Sequence, residues 1–117
     1  MDEKLQKALE FANYRQTLNN QLRQLKVRTQ SQLIFAKNGG SFTIDRELIC
    51  FFEYIVSKKL KDVTVLDDAE TPIQIINPKE FLEEITLRYF EVTSDYFRDF
   101  QQIKKSRSVK SIVNLED

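Results

Sequence analysis

The residue types that most often carry enzymatic chemistry are scarce in this chain of 117 residues. It has no histidine, a single cysteine, Cys50, and only two glycines, Gly39 and Gly40. Without histidine there is no Ser-His-Asp or Cys-His catalysis and no histidine-bound zinc. One cysteine cannot build a thiolate zinc site, and two glycines cannot form a Gly-rich phosphate loop. Carboxylates, lysines, tyrosines and serines are left as candidates, alone or with a hard cation.

Two acidic clusters are the remaining candidates for catalysis or cation binding. Asp67, Asp68 and Glu70 offer oxygens to Mg²⁺ or Ca²⁺, but a cation loop usually has more ligands and a glycine. The second cluster consists of Glu80, Glu83, Glu84 and Glu91. Paired glutamates on helices normally work with histidine, and acidic residues also complement a helix N-terminus. We therefore predict a solvated turn and a helix start, with no catalytic residue, metal or cofactor, and no enzyme activity.

Basic residues are concentrated near the start of the chain, although the net charge is zero. Residues 11–44 contain no acidic residue; their basic residues are Arg15, Arg23, Lys26, Arg28 and Lys37. Arg15, Lys26 and Lys37 recur every eleven residues, which places them near one face of a helix. Such a face can contact nucleic acid, or it can pack beside an acidic helix of the same chain. We favour the second interpretation because few aromatic residues lie nearby to stack on bases.

A second basic cluster lies near the end of the sequence and consists of Lys104, Lys105, Arg107 and Lys110. Basic residues complement the C-terminal end of a helix, so the cluster is typical of a helix end followed by a frayed tail. The alternative is a docking tail, because apolar residues follow at Val109, Ile112, Val113 and Leu115. The sequence leaves both interpretations open.

The pattern of apolar residues predicts three helices. The first covers residues 3–37 and stops at Asn38-Gly39-Gly40. The second runs from Arg46 to about Leu60 behind an Asp45 N-cap, and its broad apolar face, with Cys50 inside, predicts burial on more than one side. The third begins at Asn77-Pro78 and continues to about residue 105. Its apolar line consists of Phe81, Ile85, Tyr89, Val92, Tyr96, Phe100 and Ile103.

These elements predict a fold class and a domain organisation. We expect an α+β domain over residues 1–105 and a basic, Ser-rich tail over 106–117. Its two long helices pack antiparallel beside a shorter buried helix and a three-stranded antiparallel sheet of residues 41–45, 63–66 and 73–76. The absence of a long apolar run and of a signal peptide predicts a cytoplasmic protein that does not enter a membrane.

Two aromatic residues of the last helix, Phe90 and Phe97, lie off its apolar line. The first helix is also longer than a compact domain of this size can cover. Surplus apolar surface of this kind favours a homodimer through the long helices, or another protein partner. We therefore predict a non-enzymatic interaction or assembly protein. The alternative is a nucleic-acid-associated accessory protein that uses the basic first helix and the basic tail.

Six short motifs along the chain are similar to those of a known group of proteins. They are Phe11-Ala12-Asn13-Tyr14, Thr17-Leu18-Asn19-Asn20-Gln21, Asn38-Gly39-Gly40-Ser41-Phe42, Leu66-Asp67-Asp68, Thr71-Pro72-Ile73 and Ser106-Arg107-Ser108-Val109. With these motifs the chain resembles small proteins of large contractile-tailed phages that infect marine bacteria. The resemblance implies a viral product that acts in the bacterial host cytoplasm or in the virion. It implies no activity and no functional residue.

Overall fold

A computed structural model describes the backbone of residues 2–116 and the side chains of residues 2–106. Over these residues the protein is α+β, with three helices and two two-stranded antiparallel sheets. The elements are α1 (Glu3–Gln32), β1 (Ile34–Lys37), β2 (Gly40–Thr43), α2 (Arg46–Ser57), β3 (Val63–Leu66), β4 (Pro72–Ile75) and α3 (Pro78–Glu116).

Backbone contacts divide the chain into two units. The terminal unit consists of Met1–Arg28 and Ser94–Asp117, and the central unit consists of Thr29–Thr93. This division does not test the predicted single domain of residues 1–105 with a tail over 106–117, which stays a prediction.

A β-hairpin at residues 34–43 replaces the predicted end of the first helix. β1 pairs antiparallel with β2, and Lys37 lies opposite Gly40. The turn residues Asn38 and Gly39 have positive φ angles of 52° and 82°. Positive φ at both central residues is what a type I′ hairpin turn requires, and Asn-Gly is its most favoured sequence. The predicted helix through residue 37 is therefore wrong, and α1 ends at Gln32.

The predicted three-stranded sheet is also wrong. β3 pairs with β4 as expected, but β2 pairs with β1 and has no strand partner in the other hairpin over the described residues. Ser41 on β2 instead bonds to the turn between β3 and β4. Its N–H donates to the Asp67 carboxylate at 3.0 Å, and its C=O accepts from the Asp68 N–H at 2.9 Å. The two hairpins therefore contact each other through β2 of the first and the turn between β3 and β4 of the second.

α2 begins where the sequence predicts it and ends earlier. The Asp45 side chain accepts a hydrogen bond of 2.7 Å from the Leu48 N–H, which confirms the N-cap. The helix ends at Ser57 rather than near Leu60. Lys59 follows with a positive φ of 58°, the left-handed conformation that closes many helices.

Only one side of α2 is buried. Phe52 and Ile55 face the core, whereas Cys50, Phe51 and Tyr54 on the other side are exposed. The predicted burial on more than one side, with Cys50 in the core, is therefore wrong. The sequence predicted burial all round because α2 also carries apolar residues, such as Phe51 and Tyr54, on its exposed side.

The hydrophobic core of the central unit is built around Phe81 on α3. Its ring centre lies 5.9 Å from that of Phe35, 5.3 Å from that of Phe42 and 4.4 Å from that of Phe52. One helix residue therefore holds β1, β2 and α2 together. The other buried members of this core are Ile44, Ile55, Val65, Ile73, Ile75, Leu82 and Ile85.

α3 confirms most of the predicted last helix and extends beyond it. The Asn77 side chain accepts a hydrogen bond from the Glu80 N–H at 3.3 Å, as an N-cap does. The predicted apolar line, from Phe81 to Ile103, is buried or half-buried at every position. The helix continues past residue 105 to Glu116, since no glycine or proline follows Pro78.

In the terminal unit, α1 lies beside the second half of α3. A cavity of about 210 Å³ is lined by Gln21 on α1 and by Gln102, Ile103 and Ser106 on α3. Leu25 is the one fully buried residue of α1 among those described. Antiparallel packing of the two helices along their whole length stays a prediction.

Candidate functional site

The predicted basic surface of α1 is exposed: its residues are Arg15, Arg23, Lys26 and Arg28. The Arg15 guanidinium lies 5.9 Å from the centre of the Phe11 ring, one helical turn earlier, within the range of a cation–π contact. Lys37 does not belong to this surface because it lies on β1. The eleven-residue spacing of Arg15, Lys26 and Lys37 therefore does not define one helical face.

Lys37 forms an ion pair within the central unit instead. Its ammonium group donates to both carboxylate oxygens of Glu84 on α3 at 3.2 Å. Nearby, Arg88 donates to the backbone C=O of Gln32 at 3.3 Å. Both contacts fasten α3 to the chain around β1. Glu84, one of the four glutamates considered for catalysis, thus has a structural partner.

The turn between β3 and β4 is ordered by the Asp67 carboxylate. It accepts hydrogen bonds from the N–H groups of Ser41 at 3.0 Å, Ala69 at 3.0 Å and Thr71 at 2.8 Å. These bonds favour the charged carboxylate and lower the pKa of Asp67, the bond from Ser41 contributing most. Asp68 to Thr71 are exposed, as predicted for a solvated turn, but Asp67 is half-buried and the turn also contacts β2.

The second aspartate of this turn also contacts β2. The Asp68 carboxylate accepts a hydrogen bond of 2.6 Å from the Thr43 hydroxyl. Within the described part of the chain, no group of three or more His, Cys, Asp or Glu residues is arranged to hold a metal ion. Asp67 and Asp68 therefore join the two hairpins.

The outward surface of α3 carries three large hydrophobic side chains that are exposed. Leu87, Phe90 and Phe97 are 62%, 60% and 65% exposed. They belong to a row of exposed residues at alternating spacings of four and three, which we call the outer stripe of α3. Its residues are Glu83, Leu87, Phe90, Ser94, Phe97, Gln101 and Lys104. Spacings of this kind keep residues on one helix face.

The second basic cluster is only partly described. Lys104 and Lys105 are exposed, and the Lys104 ammonium lies 5.6 Å from the centre of the Phe100 ring. The other predicted members, Arg107 and Lys110, lie outside the residues whose side chains the structure describes.

The central unit contains a cavity that the sequence did not predict. It has a volume of about 250 Å³ and lies where the segment after α2 meets the start of α3. Its lining residues are Val56, Lys59, Leu60, Lys61, Asn77, Pro78 and Lys79. No sequence signal marks it, because its two halves are about twenty residues apart and meet only in the fold.

Comparisons with known proteins add no relative to this description. No family model, no curated protein and no solved structure matches the chain. The resemblance to phage proteins stays a prediction. Among the described residues, no helix is both long enough and apolar enough to cross a membrane.

Proposed function

We propose that the protein is a non-enzymatic interaction or assembly protein that forms a homodimer through the outer stripe of α3. The observation that carries this proposal is the exposure of Phe90 and Phe97, which are seven residues apart on one helix. Burial of such rings stabilises an association, because apolar surface removed from water contributes about 25 cal/mol per Å². A closed two-fold dimer buries the same surface on both copies.

The composition of the stripe supports an interface. Between Glu83 and Lys104 the stripe contains no charged residue. Along one edge of the stripe, α3 carries exposed charged residues such as Arg88, Glu91 and Arg98. An uncharged strip with aromatic residues beside a charged edge is typical of protein interfaces, in which the centre is depleted of charge. A second copy of the chain is the simplest partner with a matching surface.

Light scattering on three proteins tests this proposal. We expect the mass of two chains for the wild type and of one chain for Phe97→Glu, because a charge would be buried at the interface. Phe97 is exposed, so the variant should keep its helical circular dichroism. Phe51→Glu is the matched control, since Phe51 is an exposed aromatic residue on α2. Equal masses for all three proteins would overturn the proposal.

A second candidate function is binding of nucleic acid by the basic surface of α1. It is supported by the exposed Arg15, Arg23 and Lys26 in a stretch without acidic residues. Binding to phosphates weakens steeply with salt, because counterions are released. Fluorescence anisotropy with labelled single-stranded and double-stranded DNA at two salt concentrations tests it. Salt-sensitive binding that is lost in Arg23→Gln/Lys26→Gln would favour this function; its absence would remove it.

The biological setting belongs to the same proposal. A phage assembly protein would act in the bacterial host cytoplasm or in the virion, as the resemblance implies. Recovery of the protein in purified particles of an infecting phage would support that setting.

A further inference from the structure

We infer that the two copies pair with their α3 helices antiparallel, so that Glu83 of each copy lies opposite Lys104 of the other. This inference rests on the proposed dimer and specifies its geometry. The two-fold axis would pass between Thr93 and Ser94, at the middle of the outer stripe.

The sequence spacing along the stripe carries the argument. Glu83, Phe90, Phe97 and Lys104 are each seven residues apart and all are exposed. A two-fold axis between residues 93 and 94 reverses the order of one helix against the other. Phe90 then lies opposite Phe97 of the second copy, and the same register brings Glu83 opposite Lys104. Apolar residues meet at the centre and opposite charges meet at both ends.

Parallel pairing gives a less favourable arrangement. In that orientation each residue lies opposite itself, so Glu83 meets Glu83 and Lys104 meets Lys104. Like charges at facing positions disfavour an arrangement and select against it. The charges at the two ends of the stripe therefore specify orientation, while the phenylalanines supply the apolar area.

Arg98, a charged residue beside the stripe, is engaged within its own helix. Arg98 already pairs with Asp95 at 3.5 Å and with Asp99 at 3.4 Å in its own helix. Among the residues whose side chains are described, Glu83 and Lys104 have no ion-pair partner. Both side chains are exposed and can pair with a second copy, and the Lys104 ammonium also lies over the Phe100 ring of its own helix.

Ser94 occupies the stripe position next to the proposed axis. It is a small residue between two large rings, at Phe90 and Phe97. A small side chain lets two helices approach closely, and the rings on either side can then pack across the interface.

Disulfide trapping tests the orientation. In a Cys50→Ser background, one cysteine is introduced by Ser94→Cys or by Gln101→Cys. In the antiparallel register, two copies of residue 94 lie within about 2 Å along the helix axis, whereas two copies of residue 101 lie about 22 Å apart. A disulfide requires Cα atoms roughly 4.4–6.8 Å apart. Under mild oxidation, Ser94→Cys should therefore cross-link at least about tenfold faster than Gln101→Cys.

The outcomes separate this inference from the proposed function. Equal cross-linking of both variants indicates parallel pairing and overturns the inference. A two-chain mass with cross-linking of neither variant also overturns it, because the copies then meet at another face. A one-chain mass for the Cys50→Ser background and for the wild type overturns the proposed dimer itself.

Charge exchange provides an independent test. Glu83→Lys should weaken the dimer about tenfold, since two facing pairs become repulsive. Adding Lys104→Glu should restore the dimer dissociation constant to within roughly twofold of the wild type. Glu91→Lys is the matched control, because residue 91 is exposed and lies about 90° around the helix from the stripe. Equal weakening by Glu91→Lys, or no rescue in the double variant, would contradict the Glu83–Lys104 pairing.

Discussion

The carboxylate of Asp67 accepts a hydrogen bond of 3.0 Å from the backbone N–H of Ser41. Asp67 lies in the turn after β3, and Ser41 lies on β2, so this contact joins the two hairpins of the central unit. The same carboxylate accepts two further hydrogen bonds within its own turn, from the N–H groups of Ala69 and Thr71. One side chain therefore organises a turn and attaches it to a neighbouring strand.

This arrangement predicts a pH dependence of stability. Because the folded protein lowers the pKa of Asp67, the charged form stabilises the fold above the ordinary carboxyl pKa of 3.8. That contribution to stability is lost as the pH falls through the lowered pKa of Asp67. We expect the melting temperature of the wild type to fall between pH 5 and pH 2, and that of Asp67→Asn to fall less.

Thermal melts across this range provide the measurement. Glu70→Gln is the control, because it removes a negative charge from the same turn while leaving the three hydrogen bonds to Asp67 in place. Identical pH profiles for Asp67→Asn and the wild type would show that the contact to Ser41 contributes no pH-dependent stability.

The position of Phe52 predicts a large effect of truncation. Phe52 is completely buried, and its ring contacts that of Phe81 at the centre of the core. Phe52→Ala should lower the free energy of unfolding by about 3–5 kcal/mol, the usual range for a buried phenylalanine. Phe51→Ala, one residue away on the exposed side, should cost under about 1 kcal/mol. Urea denaturation measures both; similar losses would mean that α2 packs in a different orientation.

The ion pair between Lys37 and Glu84 predicts a measurable coupling. Both side chains are about one-third exposed, which limits the interaction. A double-mutant cycle with Lys37→Met and Glu84→Gln should give a coupling of about 0.5–1 kcal/mol that decreases with salt. The more exposed pair of Asp95 and Arg98 provides the comparison and should couple more weakly. Equal coupling of the two pairs would contradict the role of Lys37 in fastening β1 to α3.

Local signals in the sequence were sufficient for the helix starts and for the last helix. Asp45 and Asn77 are N-caps, and the apolar line of α3 is buried, because caps and helical periodicity depend on near neighbours. The hairpin of β3 and β4 was likewise identified by its β-branched residues and its polar turn.

The first hairpin was missed for a physical reason. Asn38-Gly39 either ends a helix or turns a hairpin, and Leu33 to Ala36 also continue the apolar pattern of α1. The choice depends on pairing with residues 40–43 and on packing against Phe81, which the local sequence does not contain. The prediction of a three-stranded sheet was wrong for the same reason, because β2 pairs with β1 and not with the strands of the second hairpin.

The candidate surfaces were predicted to different extents. Phe90 and Phe97 were expected off the buried line of α3, and both are exposed, because helix periodicity determines the face of each residue. Lys37 was assigned to a basic helix surface and instead pairs with Glu84. That pairing joins residues 47 positions apart, which periodicity cannot reveal.

The most direct test of the proposed dimer is sedimentation equilibrium of the wild-type protein over a wide range of concentrations. The exposed phenylalanines of α3 predict the mass of two chains at micromolar concentrations and a reversible shift toward one chain on dilution. The mass of a single chain at every concentration would contradict the central claim that the outer stripe of α3 binds a second copy.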